Sequence, residues 1–386
     1  MLPVSLISVN PSTPDFQARL QNAKRAYTVR NINLASGIRL LHDAVPTAGD
    51  LVLARVERIG QHGKLELHSG RRSTLYVGDE ILVTYGCRYA PDQYEAFVPE
   101  NLGPCDLVAS GGVASRAENK HRKMSQPTRI HPVGLIADSS GKPLNIAQSS
   151  LPQLPAQNRM PPVIVVVGTM MNAGKTTCAG NLIAGLKKAG YQVGAAKVTG
   201  TGSGNDRWFM TDAGADQVLD FTDMGHTSTF MLDSRVCENI FLQLTRHLAV
   251  GGAEVIVVEI ADGLFQRETA ALLEGDLLRQ NAAGLVFAAA DGLGALAGIN
   301  RLRQQGHNVL ALGGTITMSP LAMREATGLI DLPVATSEDL RELRGIPALD
   351  HILPRSAMRW PHRKPFNAGS LKWLLPDTRS IAATGA

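Results

Sequence analysis

Residues 163–177 read VIVVVGTMMNAGKTT, and no other stretch of the chain restricts its fold as tightly. Five consecutive β-branched apolar residues run into Gly168, and a helical pattern starts at Lys175 and continues to Ala189. A buried strand that ends in glycine, a flexible loop and a helix opening on Gly-Lys-Thr make an anion cradle. Backbone N–H groups of the loop wrap the anion, and the positive end of the helix points at it. If the anion is a nucleotide, Lys175 bridges the β- and γ-phosphates and the Thr176 hydroxyl holds Mg²⁺. The expected phosphate contacts are Gly168, Thr169, Asn172, Ala173, Gly174, Lys175, Thr176 and Thr177. The usual loop has four residues between its first glycine and the Gly-Lys pair, whereas this one has five, 169–173.

The surroundings of the loop alternate between apolar runs and helical patterns. Strands are expected over 192–197, 254–260, 283–290 and 308–314, with helices over 272–280, 294–305 and 320–327. Such alternation predicts parallel βαβ units, hence an α/β fold with a doubly wound, mostly parallel sheet over 162–344. Residues 1–125 read differently, as short strands at roughly ten-residue spacing. Gly49-Asp50 and Gly78-Asp79 each precede an apolar strand. This pattern predicts a small β-rich, barrel-like domain in front. Residues 126–161, rich in Pro, Ser and Gln toward their end, read as a linker, and 345–386 as a C-terminal tail.

Composition narrows the function classes. Of 386 residues, 44% are hydrophobic and 19% charged, which excludes disorder of the whole chain. The net charge of +4 is small for this length and argues against a protein that coats nucleic acid. Tyr76, Tyr85, Tyr89 and Tyr94 lie among Arg71, Arg72 and Arg88, a pattern able to stack single-stranded bases. Packing within a domain poor in other aromatics explains the tyrosines better, so nucleic acid is disfavoured as a partner. Four widely spaced cysteines, Cys87, Cys105, Cys178 and Cys237, form no zinc pattern and read as reduced thiols. His62, His68, His121 and His131 are too dispersed to suggest a metal site. No signal peptide and no run long enough to span a bilayer is seen, so a cytoplasmic protein without membrane partners is expected.

GTMMNAGKTT resembles the loop of dethiobiotin synthetase, which shares the five-residue spacing. That enzyme belongs to a class of P-loop proteins with the cobyrinic acid amide synthases and the nucleotide-binding adaptor of molybdopterin-guanine dinucleotide synthesis. The stretch GYQVGAAKVTGTGSGNDRWFMTDAGADQVL is similar to the second strand and following loop of this class. Lys197-Val-Thr199-Gly200 matches the synthetase. Asp206-Arg207-Trp208 leading to Asp212-Ala213-Gly214-Ala215 matches the adaptor. The resemblance covers about residues 162–340. It implies ATP and Mg²⁺ as cofactors, a small-molecule acceptor and a homodimer. It also implies an acidic strand end, here Glu259 and Asp262 in EVIVVEIADG, where a carboxylate ligates the metal. Ile260 and Asp262 depart from the Glu-Gly-Ala-Gly-Gly of the synthetase.

Further site residues follow from position. Lys197, at a strand end, is placed to offset charge on the transferring phosphoryl group or the acceptor. The polar loop 199–206 is suited to an anionic acceptor, with Asp206 and Arg207 as metal or acceptor contacts. Asp291 and Met318-Ser319-Pro320 follow later strands, where doubly wound sheets place ligand groups. Lys175 and Lys197 are therefore the expected catalytic residues, and Thr176, Glu259 and Asp206 the expected metal ligands. These readings favour an ATP-dependent ligase or kinase-like enzyme that activates a carboxylate or carbamate by phosphoryl transfer. A nucleotide-dependent switch is the first alternative. Its extra lysine after the first glycine is absent, since Thr169 stands there. An acyltransferase that uses the loop for a phosphate-bearing acyl cofactor is the second. No Asn-Lys-x-Asp guanine motif appears, which favours ATP over GTP.

Overall fold

The computed structural model describes residues 14–34 and 37–354. They divide into two compact units. The first takes in the described residues up to 89, then 93–150 and 225–227, and the second takes the rest.

The first unit is built on five strands: β1 (Leu51–Arg58), β2 (Glu80–Tyr85), β3 (Cys105–Ala109), β4 (Val113–Lys120) and β5 (Thr128–Ala137). Their pairings run β2–β1–β5–β3–β4, and β4 returns to β2, so the strands close into a ring. Among these five pairings only the β4–β2 closure is parallel. Closure removes the sheet edges that would otherwise invite pairing with other chains. Each Gly-Asp turn before β1 and β2 uses a glycine with φ near 90°. In each, the following aspartate accepts the backbone N–H of the residue three positions back, Thr47 for Asp50 at 2.8 Å and Tyr76 for Asp79 at 2.7 Å. Tyr85 and Tyr94 are fully buried, and Tyr76 is exposed beside Lys24. Two of the four tyrosines are therefore core residues and present no ring for stacking. The four cysteines are free thiols, and three of them are buried.

The expected linker 126–161 needs correction. Ten of its residues form β5, paired with β1 on one side and β3 on the other. The alternation of Thr128, Ile130, Pro132 and Gly134 with Arg129, His131 and Val133 is a strand pattern interrupted by one proline, and a break in register accommodates Pro132. The stretch from 151 to 162 holds no helix or strand. The tail reading also needs correction at its start, because Pro347–Ile352 is helical and buries Leu349. Residues 355–386 of the expected tail lie outside the described residues.

In the second unit six strands form one sheet: β6 (Val163–Gly168), β7 (Val193–Lys197), β8 (Gln217–Asp220), β9 (Val255–Glu259), β10 (Gly284–Ala288) and β11 (Val309–Gly313). Their order is β8–β7–β9–β6–β10–β11, and every pair is parallel. Both faces are covered by helices, which is why β6 and β9 are buried along their whole length. The helices are α1 (Lys175–Lys188), α2 (Asn205–Asp212), α3 (Ser234–Val250), α4 (Arg267–Glu274), α5 (Asp276–Asn281), α6 (Gly292–Gln304), α7 (Pro320–Leu329), α8 (Ser337–Glu342) and α9 (Pro347–Ile352). Two core clusters lie on opposite faces. Val165, Val258, Phe241 and Phe287 belong to one, and Val166, Val257, Leu182 and Ile183 to the other.

Candidate functional site

The carboxyl ends of β6, β7 and β9 carry the site. Glu259 is paired in register with Lys197 on one neighbour and Val166 on the other. Both charged side chains therefore emerge at the same sheet edge as the loop 168–174. Thr169 begins the loop by donating its N–H to Ala288 O at 2.9 Å. Asn172 adopts a left-handed backbone with φ 64°, and Gly174 follows with φ 96°, which favours glycine there. The far wall of the loop is braced from β11, because Thr315 N–H donates to Ala173 O at 2.9 Å. A side chain at Gly314 would collide with that same carbonyl, so glycine at 314 lets the two backbones approach.

Lys175 is only 6% exposed, and its ammonium crosses the loop to Met170 O at 2.8 Å. Burial lowers its pKa, and the carboxylate of Glu259 works against that shift. The Thr176 hydroxyl lies 2.9 Å from Glu259 Oε1 and 3.4 Å from Asp206 Oδ1. It has one proton, which the shorter contact assigns to Glu259. Asp206 forms an ion pair with Lys197. Burial disfavours the Asp206 charge, but Lys197 outweighs that, so its pKa falls below the usual carboxylate range. Lys197 is likewise disfavoured by burial, yet Asp206 and Glu259 together raise its pKa.

Glu259 is the unsettled member. It is 2% exposed, and its Oε2 is buried without a hydrogen-bond partner among the described residues. Burial, followed by repulsion from Asp206, pushes its pKa up to about 7. A buried, half-satisfied carboxylate is costly unless a cation meets it. The donor set of the Thr176 hydroxyl and the Glu259 and Asp206 carboxylates is all oxygen, which suits Mg²⁺. Among the described residues no cluster of three or more His, Cys, Asp or Glu ligands occurs. Mg²⁺ at this place would therefore keep waters and phosphate oxygens in its shell, as this ion ordinarily does.

Of the expected site residues, Lys175, Thr176, Lys197, Asp206 and Glu259 come together. Asp262, with φ 63°, adds negative charge felt by both lysines. Thr177 is exposed, on the outer side of α1. Thr199 is buried, and its hydroxyl accepts the Ala261 N–H at 2.8 Å, which ties loop 199–206 to the end of β9. Three expected contacts also have structural duties. Asp291 caps α6 through the Gly294 N–H at 2.7 Å, and Ser319 caps α7 through the Ala322 N–H at 3.3 Å. Arg207 pairs with Asp223 at 2.7 Å. Loop 199–206 itself ends in the first turn of α2, which carries Asp206. Sequence reasoning misses Asp223 and the brace from Gly314, since neither belongs to a phosphate-loop pattern.

No protein-family model matches the chain, and no curated protein does. Among solved structures, the signal recognition particle receptor FtsY from Elizabethkingia anophelis aligns over 51% of this chain and 67% of its own, at 17% identity and TM-score 0.33. Chloroplast FtsY from Physcomitrella patens aligns over 51% of this chain and 61% of its own, at 17% identity and TM-score 0.32. The kinase domain of Escherichia coli tyrosine kinase ETK aligns over 40% of this chain and 68% of its own, at 13% identity and TM-score 0.31. These likenesses are partial and distant, so the assignment of the site rests on its own residues.

Proposed function

We propose that the chain is a P-loop enzyme of the dethiobiotin synthetase-like class that uses Mg²⁺ and ATP to activate a small carboxylate or carbamate. The observation that carries this reading is the meeting of two lysines, two carboxylates and a loop of backbone N–H groups at one sheet edge. In this reading the 168–174 amides and the start of α1 bind the phosphates. Lys175 leaves the Met170 carbonyl for the β- and γ-phosphates. Mg²⁺ held there would supply charge compensation for the phosphates. Thr176, Glu259 and Asp206 would hold the metal, whose charge would keep Glu259 ionised. Lys197 orients the acceptor carboxylate, whose oxygen bonds to the γ-phosphorus as the bond to ADP breaks. This chemistry is mostly positioning and charge compensation, and no residue has to form a covalent intermediate. A homodimer, a cytoplasmic setting and a preference for ATP over GTP belong to the same proposal.

The test is incubation with Mg²⁺, ATP, a panel of carboxylic acids and hydroxylamine, which traps an acyl phosphate as a hydroxamate. Hydroxamate and ADP formed in equal amounts, and lost in Lys175→Ala, support the reading. ADP and phosphate without hydroxamate from any acceptor would replace it with a nucleotide-driven switch. Failure to form ADP would refute both.

A further inference from the structure

Asp206 stands at the start of a short helix, paired with Lys197 and 3.4 Å from the Thr176 hydroxyl. Its half-buried carboxylate repels that of the buried Glu259. The element that carries it is weak by itself. Helix α2 has eight residues, its N-cap Gly204 offers no side-chain cap, and Met210 is its one fully buried side chain. A helix this short has little intrinsic stability in water. Its placement must come from its contacts.

Two contacts stand out. Arg207, next to Asp206, forms an ion pair with Asp223 at 2.7 Å, and the Asp223 side chain is 7% exposed. Asp223 Oδ2 also accepts the Asp220 N–H at 2.9 Å, which fixes it to the end of β8. Asp220 is the register partner of Lys197, and Phe221 N–H donates to Lys197 O at 3.1 Å. The contacts thus close a ring from Lys197 to Asp206, Arg207, Asp223, the end of β8 and back to Lys197. The second contact is on α1, where the Phe209 ring lies over Gly180. A side chain at that glycine would occupy the ring's place.

We infer that Asp223 and Arg207 are positioning residues for the metal site: the pair locks the first turn of α2 so that Asp206 faces Lys197 and Thr176. In this proposal both act through Asp206 and not by contact with the metal or the phosphates. The inference rests on the metal role given to Asp206 above.

The experiment compares wild type, Asp223→Asn, Arg207→Met and Asp206→Asn by two readouts. The first is hydrogen–deuterium exchange of the protein without ligand. Asp223→Asn and Arg207→Met should raise exchange of amides 205–209 by about tenfold while β6, β7 and β9 keep their protection. The second is the Mg²⁺ concentration that half-saturates the thermal shift produced by a fixed ATP concentration. Both variants should raise it by about tenfold, the scale typical of residues that orient metal ligands. The thermal shift by ATP in EDTA should stay within about twofold in ligand concentration. Asp223→Asn added to Asp206→Asn should have little further effect on the Mg²⁺ midpoint, because the two act through one carboxylate. Unchanged exchange at 205–209 would overturn the inference, as would an equal loss of binding with and without Mg²⁺. If wild type shows no ATP shift at all, the nucleotide reading fails, and the exchange result still decides whether the pair positions α2.

Discussion

Replacing Lys197 with methionine removes one charge while keeping most of the side chain's volume. The Lys197–Asp206 pair is largely shielded, with side-chain exposures of 14% and 24%. With the lysine gone, Asp206 and Glu259 face each other with Lys175 and the Thr176 hydroxyl as the nearby compensation. Breaking a buried ion pair from one side costs about 3–5 kcal/mol, because the remaining charge stays buried without its partner. Partial exposure of Asp206 reduces that figure, so the expected loss is about 2–4 kcal/mol. Asp206→Asn in the same chain removes the stranded charge and should restore all but about 1 kcal/mol. Mg²⁺ should restore part of the stability of Lys197→Met and little of that of the double variant. Urea unfolding of the four proteins, with and without Mg²⁺, measures these differences. A loss under about 1 kcal/mol in Lys197→Met, or a double variant no more stable than the single, would refute the electrostatic reasoning.

Glu259 gives a pH signature. Its pKa rises from 4.5 to about 7 on folding, so between those values the folded chain holds a proton that the unfolded chain has lost. Stability from this group is present below about pH 4.5 and falls as the pH climbs toward 7. Mg²⁺ binding should tighten over the same rise, since the metal needs the carboxylate. Glu259→Gln should flatten both profiles and raise the metal-free stability at pH 8, which calorimetric scans across pH will show. Gly180→Ala meets two opposed effects. Alanine gains about 1 kcal/mol of helix propensity, but its methyl displaces the Phe209 ring at a cost of about 1–3 kcal/mol. It should destabilise wild type and stabilise Phe209→Ala, and a double-mutant cycle without that reversal of sign would count against the packing described. His62 behaves in the opposite sense to Glu259. Burial, then Arg88, lowers its pKa to about 4, so its contribution to stability is lost as pH falls from 6.5 toward 4. His62→Gln should lessen the acid sensitivity of unfolding.

The strand, loop and helix over 163–188 and the parallel sheet were legible in the sequence because β-branched runs at 163–167 and 255–258 read as buried central strands. Lys197 and Glu259 were legible for the same reason, as charged residues closing apolar runs. The ring from Asp206 to Asp223 was not. Arg207 and Asp223 lie sixteen residues apart, and only the side-by-side register of β7 and β8 brings their carriers together. Loop 199–206 hid the start of α2 because Gly200, Gly202 and Gly204 suppress any helical signal before Asn205. β5 was obscured by Pro132 and by the polar residues around it, and its place between β1 and β3 comes from closure of the ring rather than from local propensity. Helix α3 carries a readable signal that no site motif draws attention to. Asp233 caps it, and Cys237, Ile240, Phe241, Leu244 and Leu248 recur on one buried face.

Everything proposed for the site depends on Lys175 and its loop binding nucleotide phosphates. Isothermal titration of the full chain with Mg·ATP and Mg·GTP, repeated on Lys175→Ala, addresses that dependence. One nucleotide should bind per chain, ATP more tightly than GTP, and the substitution should weaken binding by at least about tenfold, the worth of one charge-assisted hydrogen bond. Absence of binding by either nucleotide, or equal affinity in Lys175→Ala, would contradict the account.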